Sequence, residues 1–258
     1  MNVLLTNDDG IDAPGLTTLH RCVTETLGDQ VSQLVVVAPD RGRSECSHSV
    51  TTGEDLYIEE IRPGWFALNG TPVDCLRAAL FGLKFEPDFV LSGVNAGANL
   101  GVNLMVSGTF AAARESATLG VPAMAVSHYR RHDVAKTWDH VPRWVEQTLK
   151  EFAEVALRYR QAKNVTDEAK TPPLWNVNLP AVDPSTPSVP RERCPVDCNP
   201  ITRTATIDEG RVVYELDFHG RPRSRGSDVE RCFAGSLTIS DLSPFFRTLA
   251  SRTSGFLA

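Results

Sequence analysis

Asp8 and Asp9 stand side by side in Asn7-Asp8-Asp9-Gly10, directly after the run Asn2-Val3-Leu4-Leu5-Thr6. A short apolar run of this kind reads as a buried strand. The two carboxylates therefore sit where a strand ends and a loop begins. Successive strand side chains point to opposite faces, so the pair shares a ligand only if the chain turns there. Gly10 permits that turn. Adjacent carboxylates repel, which favours a bound cation or a raised pKa. The chemistry on offer is a metal site. The same four residues also have the composition of an ordinary solvated turn.

Further polar loops follow other apolar runs. Leu34–Ala38 leads into Pro39-Asp40-Arg41-Gly42-Arg43-Ser44-Glu45-Cys46-Ser47-His48-Ser49. Phe89–Ser92 leads into Gly93-Val94-Asn95-Ala96-Gly97-Ala98-Asn99-Leu100-Gly101. Parallel strands end on one edge, where open α/β sheets bind ligands. Asp8, Asp9, a loop hydroxyl and a loop amide make an all-oxygen set suited to Mg²⁺ or Mn²⁺. Ser107-Gly108-Thr109 precedes the helical run Phe110–Glu115. A helix N-terminus offers free N–H groups and positive dipole to a phosphate, although Ser107 or Thr109 is also a plain N-cap. Each close charge pair between the carboxylates and a phosphate monoester costs about 1 kcal/mol in water, or about 4 at an effective dielectric of 20. A divalent cation reverses that sign and lowers the pKa of a bound water. The expected reaction is phosphate-monoester hydrolysis by metal-activated water. Asp8 and Asp9 anchor the ion, one of them orients the water, and Ser107, Gly108 and Thr109 bind phosphate oxygens.

The elements that must position these loops alternate. Strands are expected at Val3–Thr6, Leu34–Ala38, Phe89–Ser92, Ala123–Ser127 and Trp175–Leu179, with a hairpin over Leu56–Ile61 and Trp65–Leu68. Helices are expected at Gly15–Leu27, Pro72–Leu83, Thr109–Leu119 and Val141–Arg160. That alternation implies a mostly parallel sheet covered on both faces. Prolines 180, 184, 187, 190 and 195 then exclude regular helix. A hairpin over Thr202–Asp217, a strand at Ser236–Ile239 and a helix at Ser243–Ser251 complete the chain. Residues 1–180 thus read as the catalytic core and 181–258 as a hairpin and helix extension, packed on the core or on a second subunit.

The chain has 258 residues, 41% hydrophobic and 22% charged, which is ordinary for a globular protein. A net charge of -6 argues against a nucleic-acid polymer as partner. No apolar stretch reaches the length of a membrane span, and no signal-type segment opens the chain, so a cytoplasmic location is expected. The six cysteines are scattered and read as free thiols.

The blocks Asn7-Asp8-Asp9-Gly10 with Ala13-Pro14-Gly15, Ala38-Pro39-Asp40-Arg41 with Arg43-Ser44 and Ser47-His48-Ser49-Val50-Thr51, Gly70-Thr71-Pro72-Val73-Asp74-Cys75, Ser92–Gly101 and Ser107-Gly108-Thr109 occur in this order. In these blocks the chain resembles the SurE family (survival protein E), metal-dependent phosphatases acting as 5′- and 3′-nucleotidases. The resemblance implies metal ligands at Asp8, Asp9, Ser44 and Asn95, and one divalent cation per subunit, Mg²⁺ or Mn²⁺. It also implies a Rossmann-like core in a three-layer sandwich, exchanged C-terminal elements, and a homodimer or homotetramer. Nucleoside monophosphates are the implied substrates. Glu45 and Phe110 depart from the family's smaller residues at those places, and beyond Leu179 the match thins.

Other residues have competing roles. His48 is either a proton donor to the leaving group or an anchor for its loop. Asn99 touches substrate or stabilises the glycine-rich turn. Asp74 caps its helix, Arg41 is loop scaffolding, and His128 and His132 are expected at the surface. Two alternatives compete with metal-assisted hydrolysis: an aspartyl-phosphate intermediate on Asp8 or Asp9, and a nucleotide-binding regulatory protein with weak or no phosphatase activity, which Glu45 keeps open.

Overall fold

The computed structural model describes residues 1–44, 46–163, 171–201 and 203–245. Four strands, β1 (Asn2–Thr6), β2 (Gln33–Pro39), β5 (Phe89–Asn95) and β6 (Ala123–His128), form its centre. With β3 (Ile58–Arg62), β4 (Trp65–Leu68), β7 (Leu174–Leu179), β8 (Arg191–Arg193) and β11 (Leu237–Asp241) they make one nine-stranded sheet, ordered β3-β4-β2-β1-β5-β6-β7-β11-β8. From β4 to β7 every neighbouring pair is parallel. β3 is antiparallel to β4, and β11 is antiparallel to β7.

Central strands buried on both faces need apolar residues at every position. In β1, Val3 and Leu5 face a layer that contains Leu16 and Leu19 of α1 (Pro14–Leu27) and Leu149 and Phe152 of α4 (Val141–Lys163). Leu4 faces the other layer, with Leu76 of α2 (Pro72–Arg77) and Phe110 and Ala113 of α3 (Gly108–Thr118). The result is the expected three-layer α/β sandwich.

Local chemistry sets the helix ends. Thr71 and Asp74 form a reciprocal capping box at the start of α2, the role expected of Asp74. The helix expected to reach Leu83 stops being α-helical at Arg77. A wider turn follows, in which the Leu83 N–H reaches the Ala78 carbonyl at 2.9 Å. Lys84, whose φ is 54°, lets the chain reverse there.

Beyond Leu179 the chain contributes β8 and β11 to the main sheet, together with the short α5 (Asp228–Phe233). β9 (Arg203–Asp208) and β10 (Arg211–Leu216) form a separate antiparallel hairpin in which every residue is exposed. Of the expected final helix, residues from 246 onward lie outside the described residues. All six cysteines are free. No described helix is long and apolar enough to cross a membrane.

His132 is exposed as expected, but His128 is 2% exposed. It closes β6 under Trp138 and Trp144 and meets His140 at 2.7 Å between their Nε2 atoms. His128 Nδ1 donates to the Tyr129 carbonyl at 2.8 Å, so its Nε2 accepts from His140. Burial, then the Arg130 charge, lowers His128 to about 3 and His140 to about 4. Both values lie below the unfolded value of about 6.5. As pH falls from about 6.5 to 4, the unfolded chain binds protons that the fold refuses, and stability drops. Urea unfolding across that range should show a shallower pH slope for His140→Gln than for the parent. Equal slopes would contradict a titrating pair.

Candidate active site

The first loop turns as its composition requires. Asn7 is 1% exposed; its Nδ2 donates to the Gly10 carbonyl at 2.8 Å, and its Oδ1 accepts the Gly10 N–H at 3.3 Å. Gly10 has φ 104°, a conformation that strains any residue with a β-carbon. Asp8 Oδ1 accepts from the Thr109 hydroxyl at 2.5 Å. Asp9 Oδ2 accepts the Ala96 N–H at 3.1 Å. The first loop is thereby tied to both the third and the fourth.

The second loop lies directly against the first. The Arg43 N–H donates to the Asp8 carbonyl at 2.7 Å, and the Ile11 N–H to the Pro39 carbonyl at 2.8 Å. Ser44 follows Arg43 and is exposed, with no hydrogen-bond partner among the described residues. Arg43 is scaffolding: its guanidinium donates to the Asn69 carbonyl at 2.8 Å and to Asp40 at 3.3 Å. Glu45 lies outside the described residues.

His48 has both ring nitrogens engaged. Arg114 Nε donates to Nδ1 at 3.1 Å, which leaves Nε2 to donate to Glu115 Oε2 at 2.8 Å. Glu115, 4% exposed, also takes Arg77 Nε at 2.7 Å. The loop is thus pinned to α3 and α2, and His48 acts as a positioning residue. We expect His48→Asn to lower kcat/KM roughly tenfold, the effect of a loosened support shell, with an unchanged pH–rate profile. Loss of one limb of that profile would restore the proton-donor role.

In the third loop, Asn95 Nδ2 donates to the Gly97 carbonyl at 2.9 Å. This fixes the amide and leaves Oδ1 as the atom available to a ligand. The Gly93–Val94 peptide is cis. Asn99 is 9% exposed, and its Nδ2 donates to Ser127 Oγ at 2.8 Å. Its backbone is held by Asn176 and Asn178 of β7. These bonds make Asn99 a stabiliser of the glycine-rich loop.

The fourth element, the N-terminus of α3, meets the first loop. Ser107 Oγ accepts the Phe110 N–H at 3.0 Å, the plain N-cap. A β-carbon at Gly108 would stand 2.9 Å from Asp8 Cβ and 3.0 Å from Cys46 Sγ, so only glycine lets the helix approach this closely. Thr109 is fully buried, with its hydroxyl on Asp8.

Burial raises Asp8 to about 6; the hydrogen bond from Thr109 opposes the shift and the charge of Asp9 adds to it. Burial raises Asp9 as well. Neither forms an ion pair with a described Lys, Arg or His. The described residues hold no group of three or more His, Cys, Asp or Glu that would seat a metal. Among the described residues, the oxygens that adjoin Asp8 and Asp9 from the neighbouring loops are neutral: the hydroxyl of Ser44 and the Asn95 amide oxygen. This donor set fits a hard dication. Sequence reasoning missed the Thr109–Asp8 bond, the Ala96 N–H on Asp9, and Glu115. For Glu115 the available signal was a carboxylate closing the small apolar run Phe110–Ala113.

The fold and site define an open α/β protein whose carboxylate pair lies at the carboxyl edge of a parallel sheet, against a helix N-terminus. The sequence matches the family Survival protein SurE over residues 3–198. The chain belongs to the SurE family. It is 35% identical over 256 residues to the 5′-nucleotidase SurE of Neisseria gonorrhoeae, covering 94% of this chain and 92% of that protein. It is 40% identical over 183 residues to the 5′-nucleotidase SurE of Methylobacillus flagellatus, covering 70% and 66%. The crystal structure of the SurE protein from Aquifex aeolicus superposes with a TM-score of 0.75 at 26% identity, over 96% of this chain and 95% of that one.

Proposed function

We propose that the chain is a divalent-metal-dependent phosphatase hydrolysing nucleoside monophosphates, a 5′-nucleotidase for which 3′-monophosphates are the second candidate substrates. The observation that carries the reading is the carboxylate pair: Asp8 and Asp9 are both raised by burial, without a cationic side chain, beside the positive end of α3. The names of the relatives support the substrate class.

Asp8, Asp9, Ser44 and Asn95 would hold one Mg²⁺ or Mn²⁺ per subunit. The ion would supply the positive charge that draws in a phosphate and lowers the pKa of water. Asp9 keeps one oxygen free of the Ala96 N–H, and that oxygen would hold the ion or orient the attacking water. The N–H at Gly108 and the positive end of the helix dipole receive phosphate oxygens, while the Thr109 N–H and hydroxyl both face Asp8 and set the carboxylate against the phosphate position. Ser107 supports them by fixing the first turn. Asn99 keeps the third loop in register through Ser127 and β7. The products are a nucleoside and inorganic phosphate.

The exposed β9–β10 hairpin is the element we assign to exchange with a second copy, giving a homodimer or homotetramer. An isolated two-stranded hairpin is marginal in water, and a partner would cover it. A cytoplasmic location follows from the same reading. The function is tested by inorganic phosphate release from a panel of 5′- and 3′-nucleoside monophosphates. Release from the 5′ series is expected. Tight nucleotide binding without release, across a screen of divalent cations, would overturn the reading in favour of a regulatory protein.

A further inference from the structure

A cavity of about 360 Å³ opens beyond the end of β6, lined by Tyr129, Arg131, His132, His219, Arg223 and Phe233. That size is within the usual range of small-molecule sites. Its floor is aromatic. Tyr129 stacks on Phe233, with centroids 4.6 Å apart and planes 13° apart, and Tyr129 Oη meets His219 Nδ1 at 2.6 Å. The Arg223 guanidinium lies 5.1 Å from the Phe233 ring centre. Beneath this floor, Tyr129 packs in one cluster with Ala98 and Leu100 of the third site loop. Tyr129 thereby connects the cavity to the third site loop.

The sheet register gives the spacing. Asn95 of β5 is the partner of Ser127 of β6. Tyr129 lies two residues beyond Ser127, and its N–H still reaches Leu179 of β7 at 2.9 Å. Strand geometry puts Tyr129 about 7 Å further along and about 5 Å across from Asn95. A nucleotide whose phosphate sits among Asp8, Asp9 and the start of α3 reaches that far with its base, across the length of its sugar.

Two arginines supply the ionic groups of the lining. None of the six side chains is a carboxylate or a carboxamide. Arg131 is held in a fork by Asp133, at 2.9 Å and 2.6 Å, and Arg223 donates to the His219 carbonyl at 3.1 Å. Each guanidinium keeps further N–H groups for a ligand, since it carries five. Flat rings beside two arginine forks suit a base edge that only accepts. The O6 and N7 atoms of a 6-oxopurine form such an edge, and arginine reads it bidentately, whereas adenine presents an amino donor there.

We propose that this cavity is the base subsite of the nucleotidase and that it selects 6-oxopurine nucleotides, GMP and IMP, over AMP. The proposal rests on the nucleotidase reading for its connection to catalysis, but the subsite also binds a nucleoside by itself. The test compares kcat/KM for GMP, IMP and AMP in the parent, Arg131→Met and Arg223→Met, with melting curves to establish that each variant is folded. Calorimetric titrations with guanosine and adenosine accompany it. We expect the parent to favour GMP over AMP by about tenfold or more, the discrimination of one bidentate contact. Either variant should bring the ratio toward one, and guanosine should bind the parent more tightly than adenosine. A GMP to AMP ratio near one in the parent, or a ratio unchanged in both folded variants, would overturn the subsite. Guanosine binding tighter than adenosine with no phosphate release from any nucleotide would uphold the subsite and overturn the nucleotidase reading instead.

Discussion

Asp9→Asn is expected to lower kcat/KM for nucleoside monophosphates by about 100-fold or more, the loss of about 3 kcal/mol of transition-state stabilisation. Asparagine keeps the shape of the side chain and an oxygen for the Ala96 N–H, so the third loop stays attached. What it removes is one of the two negative charges that would hold the dication. Asp9 is only partly buried and asparagine has nearly the same size and shape, so the melting temperature of the metal-free protein should change little. The folded parent should gain stability from Mn²⁺, by about 2.7 kcal/mol at 100 times the dissociation constant, and the variant should gain much less. Paired steady-state phosphate release and thermal melts measure both effects. Near-normal turnover in Asp9→Asn would remove Asp9 from the ligand shell.

The largest effect on stability is expected at Gly15→Ala. In a helix this exchange ordinarily stabilises by up to about 1 kcal/mol. Here α1 begins against the third loop, and a β-carbon at Gly15 would fall 2.0 Å from the Val94 carbonyl oxygen and 3.1 Å from the Trp138 ring. The backbone oxygen cannot swing aside as a side chain would, so the helix or the loop must shift. Overpacking of that kind costs about 3 kcal/mol. For a chain of this size the melting temperature should fall by about 10 °C. Because Val94 precedes Asn95, turnover should fall as well, even below the melting transition. Thermal unfolding with activity at low temperature checks both; an unchanged melting point would show that α1 does not abut the loop.

Most of the layered core was legible, because a doubly buried strand has to be written as an uninterrupted apolar run. Val3-Leu4-Leu5 and the Leu-Val-Val-Val-Ala of Leu34–Ala38 carry that signal, and both are strands of the parallel sheet. The carboxylate loop was legible for a related reason: polar residues and glycine directly after such a run mark a strand end. β8 was not legible. Its Arg191-Glu192-Arg193 has no apolar periodicity and owes its strand geometry to the ladder with β11. α5 is a single short helix whose main signal is the Ser227 cap. His128 was expected at the surface because an isolated histidine after a strand usually lies there. Trp138, His140 and Trp144, from the segment leading into α4 and its first turn, enclose it. The base subsite was the least legible part. It joins Tyr129 to His219 across 90 residues, and neither residue has a local pattern that points to the other.

The metal carries the central claim, since without it Asp8 and Asp9 would repel the phosphate they are proposed to serve. The most direct measurement is inorganic phosphate release from GMP by protein stripped with a chelator and then titrated with Mg²⁺ or Mn²⁺. The expected result is no release above background from the stripped protein and saturable recovery on adding either ion, with recovery weaker by about 100-fold or more in Asp9→Asn. Release that persists after stripping, at the rate of the untreated protein, would contradict it.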